Sequence, residues 1–419
     1  MTLAVAIFGL ALAAIASERV DRTKVALLGA ALVVVTQTVS QEQAIEAVDF
    51  NTIGLLAEMM LMVKLTETTG VYTWLAIRAG QLSQGRPVAI VVSLSVTTAV
   101  LSAFLDNLTT ILLMVPITFL LADTLDIDPL PLVIIEVIAS NIGGTATLIG
   151  DPPNIIIAGA TGLSFGAFIV NLAPIAALAF VAVTAALYRF YRPQLQVAPK
   201  ARQRVMELDA ARSIEDAAEL RRTMPVLLGT IVVFFAHKAL GLEPATVALA
   251  GATIMLLVSH QPLEKALADI EWPTLFFFMG LFVMVSALEE TGAIEEVANG
   301  IGNLTGGDRS AELMGILWAS AIGSGIVDNI PFTATMIPVV EELQTGQGNG
   351  DDAYWWALAL GACFGGNATL IAAAANVAAA GMAARAGRPI GFVAFLKVGL
   401  PATALSLLLA TAYIAARYL

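Results

Sequence analysis

The sequence predicts an all-α integral membrane protein made of two inverted structural repeats, with about 10 transmembrane helices, two re-entrant hairpins and two broken helices. Three observations carry this prediction: apolar residues run without alternation, the chain matches itself at one spacing, and lysine and arginine gather on one predicted face. Of 419 residues, 58% are hydrophobic and 13% charged, and the mean hydropathy of +0.84 lies outside the range of soluble domains. Runs such as "LAVAIFGLALAAIAS" (3 to 17) and "VLLGTIVVFFA" (226 to 236) read as membrane helices, for which about 20 apolar residues suffice. A β-barrel would alternate apolar and polar residues, and this chain does not. The N-terminus lacks the basic stretch that precedes the apolar core of a cleaved signal, so its first apolar run is expected to stay as a helix.

The repeat is read from one offset, since Asp106 in "LDNLTT" and Asp328 in "VDNIPF" are 222 positions apart. The same offset pairs Val25 with Val247, "KLTETTG" (64 to 70) with "SALEETG" (286 to 292), Pro116 with Pro338, and "GGTATLI" (143 to 149) with "GGNATLI" (365 to 371). Asn154 pairs with Asn376 and Gly159 with Gly381, after which the offset becomes 227, as Phe168 with Phe395 and Pro174 with Pro401 show. Duplicated membrane segments are the mark of many secondary transporters. Five spans are expected in the first half, near 2 to 17, 24 to 40, 52 to 69, 131 to 160 and 165 to 189, with a hairpin near 88 to 122. An odd number of crossings inverts the second half, giving an N-terminal repeat over 1–191, a linker over 192–223 and a C-terminal repeat over 224–419.

Orientation follows from the basic residues, which stay on the cytoplasmic side. "ERVDRTK" (18 to 24), Arg78, Arg86, the linker, Lys265, Arg385 and Arg388 fall on one face, whereas "QEQAIEAVDF" (41 to 50) and "EETGAIEE" (289 to 296) fall on the other. A multi-pass protein of the cell's inner (plasma) membrane is expected, with its N-terminus outside and the linker cytoplasmic as a charged tether or an amphipathic surface helix. The net charge of −12 points away from nucleic acid.

A charged aspartate at the centre of a membrane helix costs about 2.5–3.5 kcal/mol, so idle ones are not expected there. Asp106-Asn107 and Asp328-Asn329 are read as the tips of the two hairpins, where backbone groups are free of helix bonding and each aspartate also caps the helix that follows. "SNIGGTATLIGDPPN" (140 to 154) and "ACFGGNATLIAAAAN" (362 to 376) are read as broken helices, because Gly-Gly weakens a helix and Pro152-Pro153 turns Asp151 away from helical geometry. Close helix packing is the other role for the Gly-Gly pairs. Carboxyls whose proton affinity responds to desolvation and nearby charge suit proton coupling, so Asp106, Asp328 and Asp151 are the candidate proton or cation carriers. Asn107, Asn329, Gly143, Gly144, Thr145, Thr147, Asn154, Gly365, Gly366, Asn367, Thr369 and Asn376 are the candidate substrate-binding positions.

Asp151 and Glu136 face Ala373 and Leu358 in the other repeat, so the site is chemically lopsided. Lys64, paired by the repeat with Ser286, either neutralises Asp106 or pairs locally with Glu67. His237 and His260 fall at span ends, Cys363 reads as a buried small hydrophobe, and no metal or cofactor is expected. An intramembrane protease would need an aspartate dyad, a serine with its base or a zinc motif, and only the aspartate pair keeps that reading open.

"SAFLDNLTTILLMVP" (102 to 116) and "EVIASNIGGTATLIGDPPN" (136 to 154), with "DNIPFTATMIP" and "GGNATLI" in the second half, resemble the ArsB/NhaD group of the ion transporter superfamily, which includes arsenite permeases and the melanosomal P protein. The resemblance covers nearly the whole chain and implies an inverted-repeat carrier working by secondary active transport, not an enzyme. Relatives that carry dicarboxylates have Ser-Asn-Thr at the tips, and the Asp-Asn of this chain would repel a carboxylate. Arsenite or antimonite efflux coupled to protons is therefore the leading expectation. Sodium–proton antiport comes second, and organic-anion symport is less favoured. The bilayer is the one partner composition requires, while a homodimer and a cytoplasmic ATPase partner stay open.

Overall fold

The structure, a computed structural model, describes residues 1–17, 19–347 and 352–419; Glu18, the first residue of the "ERVDRTK" loop, lies outside them. Every regular element among the described residues is helical, and the helices repeat as the sequence does. Arg22–Val35 corresponds to Pro244–Val258, Phe50–Glu67 to Trp272–Glu290, Pro87–Phe104 to Arg309–Ile326, and Asn107–Leu125 to Asn329–Gln347. The broken pairs are Leu130–Gly144 with Pro152–Thr161, and Ala353–Gly365 with Ala374–Arg385, and the long helices Phe165–Tyr191 and Phe392–Tyr418 close the two halves. Among the described residues, five helices are long and apolar enough to cross a membrane by length and composition: both arms of the first hairpin, Phe165–Tyr191, Trp272–Glu290 and Phe392–Tyr418.

Four short helices extend the expected inventory. Gln41–Glu46 and Leu263–Ala268 are repeat mates, as are Val71–Leu82 and Ala293–Thr305. The last two pack beside the hairpins, and each starts from a glycine with positive φ, Gly70 at 78° and Gly292 at 73°. Gly70 also abuts the Ser213 carbonyl, so a side chain there meets both strain and backbone.

Inversion is visible in what the repeat mates touch. Phe165 donates its backbone N–H to His237 at one end of the 27-residue helix Phe165–Tyr191. The chain leaving the other end docks on the first repeat, where Gln81 donates to the Leu208 carbonyl and Glu215 N–H to the Thr69 carbonyl. Arg388, four residues before Phe392, pairs on this side with Asp123 at 3.7 Å and Asp128 at 3.8 Å, at the base of the first hairpin. Phe165 and Phe392 thus begin equivalent helices at opposite faces.

The linker is not the solvated tether the sequence allowed. It forms a helix over Pro199–Met206 and a 3₁₀ turn over Ala210–Ser213, and it buries Leu195, Val197, Ala201, Val205 and Ala210 against the first repeat. The halves also interlock: Arg22–Val35 lies along Trp272–Glu290, and Phe50–Glu67 along Pro244–Val258.

Each hairpin is clamped to the broken helix of its own repeat by a glycine. A Cβ on Gly143 would stand 2.3 Å from the Ala99 carbonyl oxygen, and one on Gly365 would stand 2.6 Å from that of Ala321. Both glycines therefore serve close helix packing, the second of the two roles the sequence left open. Gly143→Ala should destabilise by about 1–3 kcal/mol despite a gain in helix propensity of about 1 kcal/mol. Gly9→Ala, in open space, should be neutral or stabilising. Thermal unfolding in detergent checks this: equal shifts for the two variants would show that the contact at Gly143 is dispensable.

Candidate functional site

Both hairpin tips break helix at an aspartate. Asp106 accepts from Thr109 N–H at 2.8 Å, and Asp328 accepts from Ile330 N–H at 3.0 Å, so each caps the arm that follows. The asparagines next to them reach inward. Asn107 Nδ2 donates to Asn141 Oδ1 at 3.1 Å and to Asp151 Oδ1 at 3.3 Å, and Asn329 Nδ2 donates to the same Asp151 oxygen at 3.2 Å. Arms of 18 and 19 residues reach about 27–28 Å, close to the full thickness of a bilayer core of about 30 Å, but tips that share one carboxylate oxygen must stop at a common depth. The hairpins are re-entrant for that reason.

The breaks at Thr145–Asp151 and Gly366–Ala373 leave carbonyls without helix partners, and one asparagine in each repeat supplies them. Asn154 Nδ2 donates to the Thr145 and Thr147 carbonyls at 3.1 and 2.8 Å. Asn376 Nδ2 donates to those of Gly366 and Thr369 at 2.7 and 2.8 Å. Thr147 and Thr369 tie the breaks to the hairpins by donating to the Ala103 and Gly325 carbonyls, positions that the repeat equates. Gly144 lies against Gly150 across the first break, and a Cβ on Gly366 would stand 3.5 Å from Asn329 Nδ2. Thr145 turns its hydroxyl back onto the Asn141 carbonyl at 2.8 Å.

Asn141 joins the two repeats, and sequence reasoning passed over it. Its Nδ2 donates to Asn367 and Asn376 Oδ1, both at 2.9 Å, while its own oxygen accepts from Asn107. The signal was an asparagine standing before Gly-Gly in an apolar helix. Its repeat mate, however, is Cys363, so the symmetry that exposed the other positions hid this one. The Cys363 thiol is buried against Asp151 and donates to Asn154 Oδ1 at 3.7 Å.

The charges are as lopsided as the sequence predicted, with one addition. Arg22 Nη1 lies 2.9 Å from Asp328 Oδ2, and its guanidinium sits 5.2 Å from the centre of the Phe277 ring. Among the described residues Asp106 has no such partner, and it faces a cavity of about 30 Å³ shared with Arg22, Glu271, Asn107 and Asn329, room for a water or two. Lys64 pairs with Glu67 at 2.9 Å, the local pairing of the two readings. Glu136 is fully enclosed, and the Thr118 hydroxyl lies 2.7 Å from both of its oxygens. Of the site residues predicted from sequence, Gly143 and Gly365 lie in helix packing, Thr147, Thr369, Asn154 and Asn376 hold the breaks, and Asp151, Asn107, Asn329 and Asn367 form the central network.

The profile of the citrate transporter family (CitMHS) matches residues 12–361. An uncharacterized transporter of Mycobacterium tuberculosis (strain ATCC 25618 / H37Rv) is 43% identical over 421 residues, covering 99% of this chain and 98% of its own length. The 46 kDa membrane protein of Mycobacterium leprae is 40% identical over 423 residues, 100% of this chain and 99% of that protein. The P protein of Homo sapiens is 33% identical over 499 residues, covering 99% of this chain but 59% of the longer protein. Among solved structures, the YdaH transporter of Alcanivorax borkumensis shares the fold with a TM-score of 0.60 over 99% of this chain and 97% of its own, at 15% identity.

Asn154→Ala and Asn376→Ala should each leave two buried carbonyls unpaired, at about 1–3 kcal/mol per group. Both should lower the unfolding temperature in detergent by similar amounts, and a wild-type melting profile for either would show that its amide does not hold the break.

Proposed function

The chain belongs to the citrate transporter family (CitMHS) of the ion transporter superfamily, and we propose that it is a proton-coupled secondary active transporter that exports arsenite or antimonite by alternating access. Asp106, Asp328 and Asp151 carry the coupling proton, and the asparagines around them hold a small hydroxylated cargo. The observation that carries this reading is the meeting of two hairpin tips, from opposite faces, on Asp151. A site formed by elements rooted at both faces reaches either side when one half rocks against the other. Asp106, Asp328 and Glu271 outnumber the single Arg22 around the central cavity and its rim. That balance disfavours a free carboxylate and suits a neutral cargo such as As(OH)3 alongside a proton or Na+.

The second reading is an organic anion of the citrate type. The family's description favours it, as does Arg22, whose guanidinium would offer a carboxylate bidentate hydrogen bonds if it left Asp328. In either reading the protein lies in the plasma membrane with residues 192–223 cytoplasmic, as its arginine-rich composition favours.

Everted vesicles loaded with a pH-sensitive dye separate these cargoes. Arsenite or antimonite should drive a proton flux that Asp106→Asn and Asp328→Asn abolish, with Asp151→Asn equally inactive because it leaves no ionisable group where the tips meet. A flux with citrate alone would move the protein to the second reading, and one with Na+ alone to sodium–proton antiport. Wild-type flux in all three variants would remove the aspartates from the mechanism.

A further inference from the structure

Arg22 stands at a boundary between two cavities. On one side is the small central cavity with Asp106, Asn107 and Asn329; on the other is a recess of about 450 Å³ that runs along the end of the first helix, past Val20 and Ala378, to Asp328. Arg22, Leu108 and Ala374 line both. The Arg22–Asp328 pair, at 2.9 Å, therefore spans the wall between them, joining the first repeat to the tip of the second hairpin.

The sequence builds this position with care. Asp21 is engaged as the helix cap, accepting from Thr23 and Lys24 N–H at 3.0 and 3.1 Å, so it is not the partner of its neighbour. Thr23 anchors the helix start by donating to the Pro273 carbonyl at 2.9 Å, and the Phe277 ring supports the guanidinium from the same partner helix. Arg22–Val35 has 14 residues, about 21 Å of helix, which is shorter than a bilayer core of about 30 Å. An arginine opening so short a helix does not belong to a surface loop in the way Arg19 does. The second repeat has no equivalent: position 244 is proline, and Asp106, the mate of Asp328, makes no ion pair among the described residues.

We propose that Arg22 is the gate of this transporter on the face where residues 19–24 lie: its ion pair with Asp328 closes the path from the large recess to the central cavity, and the path opens when the pair parts. The role presupposes alternating access and adds to it which contact closes one side. It also explains why only one hairpin tip carries a counter-ion, since the pair locks the second hairpin and leaves Asp106 facing the cavity. The charged groups around Arg22 are Asp328, Glu271 and Asp106, with Lys64 engaged by Glu67.

Thiol accessibility tests the gate without cargo. In a Cys363→Ala background, Ala378→Cys reports the recess and Met60→Cys, which lines only the central cavity, reports the far side of the wall. A membrane-impermeant methanethiosulfonate is applied to each face of the vesicle in turn. From one face Ala378→Cys should react readily, while Met60→Cys should react slowly with Arg22 or Arg22→Lys and at least about tenfold faster with Arg22→Gln, as expected when a partly buried pair is broken. The exchange Arg22→Asp with Asp328→Arg should restore the slow rate, which a merely structural arginine would not do. Equal labelling of Met60→Cys with Arg22 and Arg22→Gln overturns the gate, as does an exchange that labels as fast as Arg22→Gln. The readout needs no transport, so its failure is distinct from silence in the proton-flux assay.

Discussion

Two amide groups, from Asn107 and Asn329, converge on one oxygen of Asp151, and the rest of the architecture is arranged around that meeting. In a bilayer, irregular backbone is tolerated only where protein encloses it. Bringing two hairpin tips and two helix breaks to one depth concentrates their irregular backbone in a single enclosed layer. Within it the debts are settled locally: Asn154 and Asn376 serve the carbonyls of the breaks, Thr147 and Thr369 fasten the breaks to the hairpins, and Gly143 and Gly365 let the arms approach closely enough for these bonds to form.

The scaffold is symmetric and the chemistry is not. Thr147 and Asn154 have identical repeat mates and make repeat-related bonds, and the mates Asn107 and Asn329 both reach one carboxylate, whereas Asp151, Asn141, Glu136 and Arg22 correspond to Ala373, Cys363, Leu358 and Pro244. A fully symmetric site would place two carboxylates at the centre and two arginines at the tips. With one of each, the two tips are electrostatically different, Asp328 held by Arg22 and Asp106 open to the central cavity.

Much of this was legible in the sequence because duplication supplies its own alignment. The hairpins, the tips, the breaks and the inversion follow from one offset and from which loops carry arginine, and the helices start at the expected intervals. What escaped did so for identifiable reasons. Arg22 sits in a run of charges that the positive-inside rule fully accounts for, and nothing local marks it as reaching a hairpin 306 positions away. Asn141 lacks a polar mate. The linker's buried residues, such as Val197 and Val205, are too widely spaced among charges to reveal that it docks. The Gly-Gly pairs were ambiguous between break and packing, and the first glycine of each serves packing.

The meeting of the tips is the claim on which the site, the inversion and the gate all depend, and cross-linking measures it directly. Leu108 and Ile330 follow the two tip asparagines and line the same small cavity. With cysteines at both positions and Cys363 replaced by alanine, a short bis-methanethiosulfonate should join them within one chain, seen as a linked peptide pair by mass spectrometry. If the arms instead crossed the membrane completely, the tips would lie about 30 Å apart on opposite faces and no such link would form.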